Sequence, residues 1–431
     1  MTTAASKPGA APTPDGSVRR TMPLTSSSKM PALTAPLRAD SKSATHLLNV
    51  LIIGGGPSGL STALHLQQIA PHLTSRILLL EKEHYPRLKL CAGGLTLDAE
   101  ILLQHLGLDV NEVPHAFAEA IHFDFEAKGL NIRIPGRHAL RVIRRDEFDH
   151  WLAQQAESRG IEIKQGVTVK NVLPQTDGVL VETDQGTFHA QIVVGADGSN
   201  GVTRRCIFPK DPVYTARVLE VLTPTHPHHP AGGREGVAYF EFSPVPHNIA
   251  GYLWDFPTQV KGEAMRCWGI YDTNLLADGK RPPLKEPLAN EMARFGFDLN
   301  DYEIKGHPIR WFSPQNRMSA PRVLLVGDAA GADPLFGEGI SIALGYGALA
   351  AREISEAFQR GEFSFAGFKR RVMRSALGQT LIARWLIASV IYAFKWRWFQ
   401  ILLWRMLKPV VVLAAWIFVL NWGKRMPVGR D

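Results

Sequence analysis

The sequence is poor in cysteine, and its few cysteines are far apart. Its 431 residues include three, Cys91, Cys206 and Cys267. Three widely spaced cysteines form neither a disulfide framework nor a paired metal motif, so we expect a reducing, cytoplasmic setting. Histidines cluster once, in the proline-rich run 226–230. Because no second group of ligands accompanies this run, it predicts a solvated loop and no metal site.

Acidic residues are absent from positions 363–430, which hold twelve of the 48 Lys and Arg residues. The remaining 36 basic residues face 40 acidic ones, so the net charge of +8 comes from this C-terminal region. Six of the ten tryptophans also lie here, at positions 385, 396, 398, 404, 416 and 422. We do not expect nucleic acid as a partner, because this is also the most apolar part of the chain.

Long uninterrupted apolar runs are missing from the same region. Trp385–Phe394 and Pro409–Leu420 are shorter than the ~18–20 apolar residues of a membrane-spanning helix. Tryptophan and leucine with interspersed Lys and Arg are typical of helices that lie in a bilayer interface and are attracted to anionic lipid. We therefore predict that residues 356–431 form a basic, helical, membrane-associated region. The alternative is a pair of core helices that cap the domain.

Large apolar residues are almost absent from residues 1–45, which are rich in Ala, Ser, Thr and Pro. This composition predicts a disordered tail, and the apolar core of a secretory signal is missing. A plastid-type transit peptide is the alternative. With the C-terminal region, this favours a peripheral position on the cytoplasmic face of a membrane.

The first of three glycine-bearing segments, residues 49–59, is an apolar strand that runs into G-x-G-x-x-G and a helical pattern. Gly54 permits a tight turn, Gly56 lets the backbone approach a diphosphate, and Gly59 allows close packing of helix on strand. Glu81 ends the next predicted strand, close to the ~20-residue spacing of the acid that holds a ribose hydroxyl. The alternative is an ordinary strand–turn–helix with incidental glycines.

The other two segments are 193–199, which contains Asp197 and Gly198, and 323–331, which contains Gly327 and Asp328. All three segments in this order predict a site for FAD. Asp328 follows an apolar strand, where its carboxylate can accept a hydrogen bond from the ribityl hydroxyls.

Gly337, Gly339 and Ile340 open the next predicted helix, whose positive N-terminus would stabilise the anionic reduced flavin. Glu338 between them either orients this turn or only caps the helix.

Three boxes make the chain resemble the geranylgeranyl reductase family of FAD-dependent oxidoreductases, within the p-hydroxybenzoate hydroxylase-like superfamily. They are P-x-x-K-x-C in Tyr85–Gly94, Y-x-W-x-F-P in Gly251–Pro257, and G-D-A-A-G…P-x-x-G-E-G-I in Gly327–Ile340. The resemblance covers residues 47 to 355, with Ala92 in place of a glycine of the family. It implies non-covalent FAD with Asp197 and Gly198 near it.

The resemblance also bears on residues 145–149, which match the R-x-x-F-D at the start of the family's long helix. There Arg145 is either a phosphate contact or a surface charge, and Asp146 is a candidate N-cap.

The resemblance places the Cys91 loop beside the flavin ring and implies that Cys91 is catalytic. Saturation of an isolated alkene requires a hydride from the reduced flavin and a proton, which a thiol or a held water could supply. The alternative is that Cys91 is a small buried filler.

Tyr252, Trp254 and Phe256 alternate along one predicted strand, so their rings share a face. Such a wall suits a long apolar substrate, although an ordinary sheet core has the same pattern. Flavin-dependent halogenases have a comparable W-x-W-x-I-P box, which leaves a monooxygenase or halogenase as an alternative. A non-catalytic flavin-binding membrane partner is a second alternative, and the Cys91 segment favours the reductase.

We therefore expect an α/β protein with a Rossmann-type FAD-binding domain and an inserted antiparallel β-sheet domain that binds substrate. The FAD domain is predicted at 46–110, 145–205 and 310–355, and the sheet domain at 115–145 and 205–310. The expected activity is saturation of C=C bonds in a geranylgeranyl-type chain on a membrane lipid, quinone or chlorophyll-type pigment. With a single G-x-G-x-x-G, the reductant is either transiently bound NAD(P)H or ferredoxin, and no oligomeric state is predicted.

Overall fold

The structure, a computed structural model, describes residues 47–225, 236–275 and 281–427. The predicted disordered tail 1–45 and the histidine-rich run 226–230 lie outside the described residues. The strands of the described part are β1 Leu48–Ile53, β2 Ile77–Glu81, β3 Gly94–Leu95, β4 His115–Ala118, β5 Ala120–Phe125, β6 Lys128–Arg133, β7 Leu140–Ile143, β8 Glu162–Gln165, β9 Val169–Pro174, β10 Val179–Thr183, β11 Gly186–Gly195, β12 Thr215–Pro224, β13 Val237–Glu241, β14 Gly251–Val260, β15 Glu263–Asp272, β16 Lys305–Arg310, β17 Ser319–Ala320 and β18 Val323–Leu325.

Two α-helices of the described part have residues at their termini that favour a helix end. α1 begins at Pro57, directly after Gly56, and α6 is followed by Gly361, whose φ of +67° is left-handed. The helices are α1 Pro57–Ile69, α2 Leu97–His105, α3 Arg145–Ser158, α4 Val202–Ile207, α5 Lys285–Ala293, α6 Ile340–Arg360, α7 Phe368–Arg374, α8 Ala376–Ala393, α9 Arg397–Ile401 and α10 Lys408–Ala414.

The first sheet has the order β17–β18–β11–β1–β2–β8, with β10 and β9 added beside β11. Strands β18, β11, β1, β2 and β8 run parallel. Apolar side chains fill both faces of β1 because helices cover one face and the β9–β10 hairpin packs toward the other. The predicted α/β class is therefore confirmed.

The second sheet has the order β16–β12–β15–β14–β13–β5–β6. We predicted an antiparallel sheet, but β5 and β13 pair in parallel, with Ala120 opposite Val237. The sheet is therefore mixed. A parallel pair needs a long crossover connection, and the chain supplies one because it passes through the first sheet between β6 and β12. The strands lie in the ranges 120–133 and 215–310 of the predicted sheet domain, whose boundaries remain a prediction.

A small third sheet has the order β3–β7–β4, and its strands alternate along the chain with strands of the two large sheets. It fixes the segment that follows β2, because Gly94 pairs with Val142. The loop that contains Cys91 is thereby held at the junction of the two large sheets.

The C-terminal region is helical, as predicted. Short π-helical turns at Leu402–Met406 and Ala415–Val419 follow α9 and α10. Within the described residues, α8 is long and apolar enough to cross a membrane, and the bent pair Arg397–Met406 and Lys408–Arg425 would be a second candidate if counted as one span. α8 reaches this length because it begins at Ala376, before the apolar run that we identified, and 44% of it is buried.

Candidate active site

The glycine loop between β1 and α1 forms one end of a large cavity. Gly54 has a φ of +106°, and a Cβ there would lie 2.4 Å from the carbonyl oxygen of Ala196. A Cβ on Gly59 would lie 2.0 Å from the carbonyl oxygen of Gly54. Larger residues would therefore push the strand, turn and helix apart. No side chain caps the first turn of α1, so its N–H groups are available to a phosphate.

Glu81 and two arginines surround this loop. The N–H of Gly55 donates to Oε2 of Glu81 at 2.8 Å, and Nε of Arg87 lies 3.3 Å from the same oxygen. Arg145 donates to both carboxylate oxygens of Asp149 at 2.7 and 2.8 Å. Because Arg145 is buried and lines the cavity, the alternative of a surface charge is wrong.

Asp197 and Asp146, two aspartates singled out in the sequence, each lie near the start of a helix. Asp197 accepts hydrogen bonds from the N–H and the hydroxyl of Thr203, at 2.8 and 2.9 Å, and so fixes the start of α4. Burial raises the pKa of its carboxyl. Asp197 and Gly198 both line the cavity. Helix α3 begins at Arg145, with Arg144 in the N-cap position, so the interpretation of Asp146 as an N-cap is wrong.

The third glycine segment brings Asp328 to the cavity. Its Oδ2 accepts a hydrogen bond from the hydroxyl of Ser199 at 3.2 Å, which joins the second and third segments. Gly337, Gly339 and Ile340 also line the cavity. Gly59 and Gly327 lie outside the cavity lining, where they allow neighbouring segments to pack closely.

Glu338, at the start of α6, is bound by donors from three parts of the chain. Its carboxylate accepts hydrogen bonds from the hydroxyls of Thr96 and Ser341 and from the guanidinium of Arg384. Arg384 lies on α8, is 1% exposed, and also donates to Asp333 at 2.8 Å. The C-terminal region therefore contacts the cofactor end of α6 directly.

Backbone N–H groups hold the Cys91 loop in place through hydrogen bonds. The N–H of Ile143 donates to the carbonyl of Gly93 at 3.0 Å, and the N–H of Gly93 donates to Sγ of Cys91 at 3.4 Å. Gly93 has a φ of +79°, and a Cβ there would lie 1.9 Å from the carbonyl oxygen of Ile143. The left-handed position is thus Gly93, and Ala92 fits without a positive φ. Cys91 lines the cavity.

Lys89 and His307 form a basic pair beside this loop, with Nζ and Nε2 2.6 Å apart. Burial lowers the pKa of Lys89, while Asp328 opposes this shift and Arg145 adds to it. Burial and the Lys89 cation lower the pKa of His307 to about 4. An anionic group bound here would therefore stabilise the charged form of Lys89.

The aromatic strand β14 forms the wall of the cavity, as the alternation predicts. Tyr252, Trp254 and Phe256 are all buried and line it. The hydroxyl of Tyr252 donates to the carbonyl of Phe336, which ties the wall to the segment before α6. The cavity has a volume of about 1080 Å³ and runs from the glycine loop past Cys91 and this wall to α8 and α10.

The comparisons with known proteins agree with this geometry. The FAD binding domain family matches residues 48–359. The chain belongs to this family. It is 26% identical over 341 residues to the digeranylgeranylglycerophospholipid reductase of Methanosarcina mazei, which covers 73% of this chain and 77% of that protein.

Two solved structures are similar to this member of the FAD binding domain family. A geranylgeranyl bacteriochlorophyll reductase-like protein of Thermoplasma acidophilum superposes with a TM-score of 0.68 and 19% identity, covering 87% of this chain and 97% of that one. Halogenase PltM in complex with phloroglucinol and FAD gives 0.58 and 15%, covering 89% and 88%. At these identities both show the fold. The prediction of a FAD-dependent oxidoreductase that resembles the geranylgeranyl reductases is confirmed.

The residues of the cavity fit FAD. The open start of α1 would take the diphosphate, Glu81 a ribose hydroxyl, and Asp328 the ribityl chain. The N-terminus of α6 would face the pyrimidine end. The basic pair of Lys89 and His307 was not predicted, since only Lys89 belongs to a quoted box and His307 carries no motif.

Proposed function

We propose that this FAD-dependent oxidoreductase saturates C=C double bonds of a geranylgeranyl-type chain on a membrane lipid, quinone or chlorophyll-type pigment. The observation that carries the proposal is the continuity of the cavity, which joins the cofactor loops and Cys91 to an apolar aromatic wall. A long hydrocarbon chain can follow such a wall with few polar contacts. The similarity to the digeranylgeranylglycerophospholipid reductase of Methanosarcina mazei supports the same substrate class.

The reaction adds a hydride and a proton across the double bond. Bound reduced FAD supplies the hydride. The residues of the chain have to orient the alkene and deliver the proton. The proposed proton donor is Cys91, and its position in the cavity lining supports this role. Its thiol gives the proton to the neighbouring carbon and is reprotonated from water. NAD(P)H or ferredoxin is the proposed reductant.

The C-terminal region supports a peripheral position on the cytoplasmic face of a membrane. Trp396 and Trp398 are 57% and 61% exposed, and α10 has no buried residue although its sequence is almost entirely apolar. The twelve Lys and Arg residues of positions 363–430 are suited to an anionic lipid surface. α8, in contrast, is anchored in the body of the protein through Arg384. We therefore propose that the region both caps the cavity and contacts lipid.

The test is mass spectrometry of prenylated lipids, quinones and pigments after incubation with the holoenzyme and a reductant. A gain of two hydrogens per reduced bond is the expected result. Products that gain oxygen or halogen, with oxygen-dependent consumption of NAD(P)H, would replace the proposal by a monooxygenase or halogenase. A flavin that no donor reduces would favour a non-catalytic flavin-binding partner.

A further inference from the structure

The large cavity has two ends of different chemistry. At the cofactor end its lining includes the exposed polar side chains of Lys82 and Glu83, which are 69% and 56% exposed. At the far end its lining consists mainly of apolar residues from the C-terminal region, with Arg384 and Asn421 as the polar exceptions. Extended exposed apolar surface marks an interaction site, so the apolar end needs an explanation.

Six large apolar side chains line the cavity and are nevertheless exposed. Leu88 (61% exposed) lies beside the cofactor loops, and the other five lie in the C-terminal region. Because these five residues both line the cavity and reach the surface, we take the cavity to open between them. We call this opening the apolar mouth. Its residues lie on α8, on α10 and beside α10: Leu386 (52% exposed), Val390 (50%), Leu407 (38%), Val410 (58%) and Trp416 (52%).

The surface around the apolar mouth is also apolar. Phe394, Leu413, Ile417 and Phe418 are between 39% and 59% exposed, and α10 buries none of its residues. Contact of this whole surface with water is unfavourable, because each exposed apolar group forgoes the free energy of burial. Exposed cations of the same region, among them Lys408 and Lys424, supply charge of the sign that anionic lipid attracts.

We infer that the apolar mouth is a substrate portal that opens into the hydrocarbon of a lipid leaflet. The prenyl chain enters sideways from the bilayer, between α8 and α10, and its end reaches Cys91 while the polar head group stays at the membrane surface. The occupant of the surrounding surface is the leaflet of a bilayer that contains anionic lipid. This inference rests on the proposed function for the nature of the chain, and it adds the route by which the chain arrives.

The route explains why the C-terminal region is part of the cavity and not an appended anchor. A chain that crossed water to reach the cofactor end would lose the burial of its methylene groups, ~0.8 kcal/mol for each. Entry through the apolar mouth keeps them in an apolar medium throughout. The mouth is therefore expected to matter for a substrate in vesicles and not for a small soluble reagent.

The test measures entry by labelling of Cys91 and does not depend on turnover. Holoenzyme is mixed with vesicles of phosphatidylcholine and phosphatidylglycerol that contain a geranylgeranyl-length chain with a maleimide at its apolar end. Mass spectrometry then gives the rate at which the peptide with Cys91 is labelled. Val410→Glu places a charge in the mouth, and Ile417→Glu places one on the same surface outside the cavity lining.

We expect Val410→Glu to slow labelling by roughly tenfold or more relative to Ile417→Glu, because a charge in the apolar mouth opposes passage of the hydrocarbon chain. Co-sedimentation with the vesicles corrects both rates for membrane binding. N-ethylmaleimide in solution should label Cys91 equally in both variants, which shows an intact fold. Equal labelling of the two variants by the vesicle-borne probe would overturn the portal. Labelling as expected, without reduction of any prenyl substrate, would keep the portal and reject the reductase.

Discussion

Arg384 of α8 donates to the carboxylate of Glu338, the residue that precedes the N-cap of α6, although 46 positions separate the two in the chain. The same guanidinium binds Asp333 at 2.8 Å. Asp98 lies close enough to contribute to raising the pKa of Arg384. A single buried arginine thus balances several buried carboxylates. It also connects the C-terminal region to the turn that would face the flavin.

Substitution of Arg384 by methionine should strongly destabilise the protein. It leaves Asp333 and Glu338 buried without their cation, which costs about 3–5 kcal/mol of unfolding free energy. Urea unfolding of the holoenzyme measures this loss, with Arg374→Met on the exposed part of α7 as the matched control.

A double variant, Arg384→Met with Glu338→Gln, removes one of the two buried carboxylate charges that lose their cation. It should therefore recover part of the loss. If Arg384→Met proved as stable as Arg374→Met, the buried network would not hold the C-terminal region in place.

Glu81→Ala should weaken FAD binding. The substitution removes the acceptor of the Gly55 N–H and the group predicted to hold a ribose hydroxyl. Loss of hydrogen bonds to a charged group corresponds to roughly a 10- to 100-fold increase in Kd. Fluorescence titration of apoprotein with FAD measures the change. Glu157→Ala, on the exposed face of α3 and outside the cavity lining, is the control and should bind FAD as the parent does. Equal affinity of the two variants would remove Glu81 from the cofactor site.

The parts of the site that sequence predicts are those encoded locally. The glycine turn, Glu81 at the end of β2 and the alternation of Tyr252, Trp254 and Phe256 follow from steric rules within single elements. Contacts between distant elements have no such signature. The Lys89–His307 pair joins residues 218 positions apart, and the parallel pairing of β5 with β13 depends on how the chain crosses between sheets.

Cys91→Ala should lower the rate of alkene reduction and leave FAD binding intact. If the thiol donates the proton, its loss reduces kcat by roughly 10²- to 10⁴-fold. Rapid mixing of reduced holoenzyme with substrate separates this step from reduction of the flavin, which should be unaffected. Cys206→Ala is the control, because Cys206 lies on α4 and donates to Asn171 outside the cavity lining. Full activity of Cys91→Ala would assign the thiol a packing role and the proton to a held water.

His65 on α1 should make stability depend on pH. Its ring is buried, with Nδ1 2.9 Å from the carbonyl oxygen of Ser61, and burial lowers its pKa to about 4 from 6.5. Between these two values the unfolded chain binds a proton that the folded chain does not. The free energy of unfolding therefore falls as pH decreases through this window, with a slope of up to about 1.4 kcal/mol per pH unit from this group.

His65→Gln removes this contribution to the slope. As the pH falls from 6.5 to 4, the parent should therefore lose more unfolding free energy than the variant. The comparison isolates His65 from Asp98 and Glu241, whose raised pKa values of about 6 and about 7 contribute with the opposite sign in both proteins. Urea unfolding at several pH values measures the difference, and His72→Gln on the exposed turn after α1 is the control. A constant difference across the window would mean that His65 takes up its proton in the folded protein as readily as in the unfolded chain, and that its burial does not hold the ring neutral.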